Sequence, residues 1–93
     1  MMNSSEKYNY DSYMREGAWY ESRAKEHENN GDFLTAKSRY MSAMFEYEKA
    51  YNIANNADDY CKREAYSKMN YCRNQVAEMP YKHDDAVRKN LGL

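Results

Sequence analysis

From Phe33 onward, Phe33, Ala36, Tyr40, Ala43, Tyr47, Ala50 and Ala54 recur at intervals of 3, 4, 3, 4, 3 and 4. That period keeps all seven on one face of an α-helix and excludes a strand, whose faces alternate every second residue. Leu34, Met41, Met44 and Tyr51 widen the stripe to one side, which predicts burial against two neighbours. The sequence thus asks for a central helix over about 33–55, flanked by two others.

The flanking helices follow from the same period. Tyr10, Tyr13, Gly17, Tyr20, Ala24 and His27 define a first helix over about 8–29, starting between Ser5 and Asp11 and stopped by Asn29-Asn30-Gly31. Asp32 is in place to cap the second. Cys61, Ala65, Met69, Cys72, Val76 and Met79 define a third over about 58–79, capped by Asp58 or Asp59, with Pro80 as its expected terminator. Residues 81–93 then read as a tail, with a short helix from Asp84 or Asp85 to Leu91. Short connections make consecutive helices antiparallel neighbours. The expectation is an all-α antiparallel three-helix bundle over residues 1–80 with a C-terminal tail.

Composition matters because the usual core residues are scarce. Only eight of the 93 residues are Leu, Ile, Val or Phe, but there are eleven Tyr and seven Met. Disordered chains combine few apolar residues with high net charge and few aromatics; this chain has 15% aromatic residues and a formal charge of −1. Tyr, Met and Ala are therefore the core material, with phenol hydroxyls kept where they find partners.

The turn between the first two helices resembles a tetratricopeptide unit. Tyr20 and Ala24 on the first helix, Gly31-Asp32-Phe33 at the corner, and Ala36, Tyr40 and Ala43 on the second occupy the large–small pattern of that hairpin. Asp58 and Asn70 fall where a second repeat needs small residues, so the likeness covers one unit. The overall layout is similar to the microtubule-interacting-and-transport domain, a three-helix bundle with a Gly-containing corner and Ala, Tyr and Ala on a long second helix. That resemblance implies binding of short helices or extended peptides in grooves between helices.

Catalytic chemistry has little to rest on. His27 continues a packing stripe, and His83 stands beside Asp84 and Asp85. Cys61 and Cys72 lie eleven residues apart, about 16 Å along one helix, beyond disulfide reach. They lack the close pairs of a zinc site, and Gly17, Gly31 and Gly92 are isolated. The expectation is no enzyme, no cofactor and no metal. Charge balance argues against a polyanion partner, although Lys62, Arg63, Lys68, Arg73, Tyr66 and Tyr71 on the third helix leave nucleic-acid binding as an alternative. No stretch approaches the roughly 20 apolar residues of a membrane span. Met1-Met2-Asn3-Ser4-Ser5-Glu6 lacks the features of a secretory signal, which suggests a cytoplasmic protein.

Several large side chains stand off the packing stripes: Met14, Trp19, Tyr60, Tyr66, Tyr71 and Tyr81. These residue types dominate interface hot spots. They are the candidates for a protein interface. The function expected is non-catalytic protein–protein interaction by a small adaptor or inhibitor, of the kind phages and mobile elements use against host proteins. A self-assembling homo-oligomer is the other alternative.

Overall fold

The computed structural model describes residues 1–93 and contains three helices and no strand: α1 (Ser4–Asn29), α2 (Phe33–Ala54) and α3 (Asp59–Asn90). The central helix α2 packs against both α1 and α3, whereas the backbones of α1 and α3 make no comparable approach. The chain is an all-α three-helix bundle, as the periodicity requires. Every member of the α2 stripe from Ala36 to Ala54 is buried, and Phe33 is half-buried.

The core has two parts. Ala24, Ala36, Tyr40, Ala43, Tyr47, Met69, Cys72 and Met79 form one; Tyr10, Ala50, Ala54, Cys61 and Ala65 form the other. Met14 packs against both and joins them. Ala24 and Ala36 have no exposed surface, as expected where two helices approach closely behind the α1–α2 corner. Leu34 and Met41 do not widen the buried stripe as the sequence suggested. They are 51% and 36% exposed and share the outer side of α2 with Phe45 at 49%. At 100° per residue these three point away from the Ala/Tyr row, beyond the side that Met44 and Tyr51 give to packing.

Helix ends differ from expectation in instructive ways. α1 begins earlier than Ser5–Asp11 because Asn3 and Glu6 form a reciprocal capping box: each side chain accepts from the other's backbone N–H, at 2.8 and 3.0 Å. At its C-terminus Gly31 takes φ 79°, its N–H donates to the Glu28 carbonyl, and Asp32 N–H donates to the His27 carbonyl. This is the Schellman arrangement, which requires the left-handed residue that glycine supplies. The Asp32 side chain makes no capping hydrogen bond to α2. Its carboxylate stands 3.5 Å from His27 Nδ1, across the same turn. Asp58, by contrast, caps α3 as expected, accepting from Cys61 N–H at 3.0 Å. That bond holds the Asp58 carboxyl below its usual range.

Pro80 does not end α3. The helix runs through it to Asn90, so the expected tail and its short helix are a continuation of α3. Pro80 has no N–H to offer the Val76 carbonyl, a loss that costs about 3 kcal/mol in a helix interior. Contacts on either side offset it. Met79 is fully buried against α2, and Lys82 pairs with Glu28 of α1.

Gly17 gives a sharp test of packing against propensity. A Cβ at this position would lie 2.5 Å from Cε1 of the buried Tyr47 ring. Helix propensity alone favours Gly17→Ala by about 1 kcal/mol, but overpacking a closed core costs about 1–3 kcal/mol. Gly17→Ala should therefore lower stability in urea or thermal unfolding, and a stabilised variant would show that Tyr47 is free to move.

Candidate interaction surfaces

Three buried tyrosines occupy the space between α1 and α3, which run parallel. Tyr40 and Tyr47 reach from α2 to α1, where their hydroxyls donate to Glu28 at 2.8 Å and Glu21 at 2.9 Å. Tyr10 reaches from α1 to α3 and donates to the Cys61 carbonyl at 3.0 Å, with Glu64 Oε1 at 3.3 Å. The carboxylates carry the network onward. Glu28 accepts from Lys82 of α3, and Glu21 pairs with Lys25 at 2.9 Å and faces the Cys72 thiol at 3.9 Å. No buried side-chain nitrogen or oxygen is left without a partner.

Burial, reinforced by the adjoining carboxylates, raises the ionisation of all three phenols well above the ordinary tyrosine range. The Cys72 thiol is pushed up to about 12 by burial and by Glu21, and Cys61 is raised by burial. Both thiols are protonated at neutral pH, and thiols in that state are poor nucleophiles. Burial pushes the Glu28 carboxyl up, but hydrogen bonds from Lys82 and Tyr40 outweigh it and hold the group below the usual range.

Along this seam the surface forms three adjoining shallow depressions of about 410, 370 and 340 Å³. Tyr47, Lys68, Ala18 and Glu21 recur in their lining, with Met14 and Tyr71 at the edges. A larger depression of about 650 Å³ lies on α3 beyond the bundle, lined by Tyr81, His83, Asp84, Asp85, Val87 and Arg88. All six belong to one helix, so it has no opposing wall.

The six candidate residues do not form one patch. Met14 is half-buried at the junction of the two cores. Tyr71, 40% exposed, lies on the α1 side of α3, edge-on to Tyr40 with Lys25 over its ring at 5.4 Å. Tyr66, 48% exposed, sits on the opposite flank, 5.9 Å from Tyr51 of α2. Tyr60 and Tyr81 are largely exposed and about 31 Å apart along α3. Trp19 stands alone on α1, 51% exposed, with Tyr20 edge-on at 5.1 Å and the Arg23 guanidinium over its ring at 5.2 Å.

The third-helix cations divide in the same way. Lys68 and Tyr71 line the α1–α3 seam, while Tyr66 lies towards α2, and Arg63 is paired with Asp59. His27 is half-buried against Asp32, and no group of three His, Cys, Asp or Glu side chains is arranged to hold a metal ion. The outer row Leu34, Met41 and Phe45 escapes a sequence reading because an apolar residue beside a packing stripe reads as part of it. Comparison with protein-family models, curated proteins and solved structures finds no match.

Because Tyr10, Tyr40 and Tyr47 hold more protons folded than unfolded above the ordinary phenol pKa of about 10, stability should fall as pH rises beyond it. Part of the phenolate absorbance should then appear together with the loss of helicity. A titration in which every tyrosine ionises before the helices melt would contradict the hydroxyl geometry. At the acid end the sign is opposite. The Glu28 contribution is present above about pH 4.3, its unfolded value, and is lost as pH falls through its depressed folded value.

Proposed function

We propose that this chain is a non-catalytic protein-interaction module, a small adaptor or inhibitor that presents Trp19 to its partner. The observation that carries this reading is the Trp19 cluster. A tryptophan with half its surface exposed is flanked by Tyr20 and Arg23 within 5.2 Å of ring or guanidinium. Trp, Tyr and Arg are the three side chains most enriched at binding hot spots. The edge-on contact and the stacked guanidinium order the indole before a partner arrives, which lowers the entropy cost of binding.

The rest of the chain supports the same reading. The two thiols are buried and protonated, and His27 is spent on the α1–α2 turn. The eight ion pairs involve acids and bases of all three helices, and at a formal net charge of −1 the chain lacks the basic surplus that polyanion binding draws on.

Affinity capture from the native host, with mass spectrometry, tests the proposal. Trp19→Ala should leave helicity and the unfolding midpoint close to wild type, because the indole lies outside both cores, and should remove the captured protein. A variant that still captures the same protein would exclude Trp19 as the anchor. One that unfolds would make the residue structural.

A further inference from the structure

α3 outruns the bundle that supports it. Its 32 residues extend about 48 Å, against about 33 Å for the 22 residues of α2. Met79 is the last buried residue and Lys82–Glu28 the last bond to another helix. No hydrogen bond or ion pair joins residues 83–93 to α1 or α2. A projecting helix of two turns is marginal in water without a partner.

Its surface carries a particular order. Tyr81, Asp84, Arg88 and Leu91 recur at intervals of 3, 4 and 3 and so form one row, with Val87 beside it. Tyr81, Val87 and Leu91 are 72%, 41% and 68% exposed. Asp84 and Arg88 are four residues apart, yet they form no ion pair. The neighbouring Asp85 and Lys89 do pair, at 3.0 Å. The row therefore offers one free acid and one free base between two large apolar groups.

The geometry points to a second copy of this chain as the occupant, packed antiparallel across a two-fold axis near Ala86. The row reads apolar, acid, base, apolar. Reversed against itself, it sets Tyr81 on Leu91 of the second copy and Asp84 on Arg88 of the second copy, and the two-fold repeats both contacts. Parallel packing would set Asp84 against Asp84 and Arg88 against Arg88, at an electrostatic cost. Val87 meets its own mate near the axis. The contact is small, so association is a concentration-dependent equilibrium rather than a permanent dimer. This inference is independent of the Trp19 reading, which concerns a different helix.

Sedimentation of the full chain from about 20 µM to about 1 mM, a range suited to weak association, tests it. The mass should rise towards twice the monomer with concentration, and less so in high salt. Asp84→Lys and Arg88→Glu should each weaken self-association by about ten-fold or more, because each places like charges in both symmetric contacts. The unfolding midpoint of the bundle should be unchanged, since both residues are exposed and lie beyond it. An equimolar mixture of the two variants should restore association. The introduced ammonium of one chain then faces the introduced carboxylate of the other, and the retained Arg88 faces the retained Asp84. A monomer throughout, association that survives either reversal, or a mixture that stays monomeric would each overturn the proposal.

Discussion

The structure depends on three buried phenol hydroxyls: two tie α2 to α1, and one ties α1 to α3, whose backbones make no close approach. α1 and α3 run parallel on either side of α2, and a core of Ala, Tyr and Met leaves little branched aliphatic surface to join them. Tyr10, Tyr40 and Tyr47 fill the space between the helices with ring area and finish at a carboxylate or carbonyl. A buried hydroxyl without a partner costs free energy, so each donor also fixes where its acceptor must stand. Non-directional apolar packing would leave the helices freer to slide. Tyr40 and Tyr47 set the register of α2 against α1, and Tyr10 with the Lys82–Glu28 pair sets that of α1 against α3.

Other features follow from that seam. Gly17 has no side chain because the Tyr47 ring lies where its Cβ would be. Glu21 and Glu28 can remain half-buried because each receives both a hydroxyl and an ammonium group. The Lys82–Glu28 pair fastens α3 just past Pro80 and helps carry the helix through a residue that ordinarily ends one. The large apolar side chains that this packing leaves exposed include Trp19 on α1, the outer row of α2, Tyr60 and Tyr66 on α3, and Tyr81, Val87 and Leu91 at its projecting end.

Much of the fold was legible in the sequence because the 3-4 spacing of Ala36 to Ala54 has one solution, and the Gly31 corner has one backbone conformation that closes it. The ends of the helices were less legible. Asn3 and Glu6 cap each other through side chains on a stretch without periodicity, and Pro80 is tolerated only because tertiary contacts outweigh its local cost. Glu21 and Glu28 read as solvated charges in one dimension, since the hydroxyls that hold them come from 26 and 12 residues away. The candidate surface was legible at Trp19, whose rotation away from Tyr20 follows from helix geometry. The α2 row was not, because the side on which α3 crosses decides which edge of a stripe is buried.

A double-mutant cycle on Tyr47→Phe and Glu21→Gln measures the seam most directly. Each single change removes or weakens the 2.9 Å bond without opening a cavity. A coupling of about 1 kcal/mol or more, within the range for residues sharing one hydrogen-bond network, is the expected result. Strictly additive losses would mean that the hydroxyl and the carboxylate are neighbours without being partners, and that packing alone sets the register.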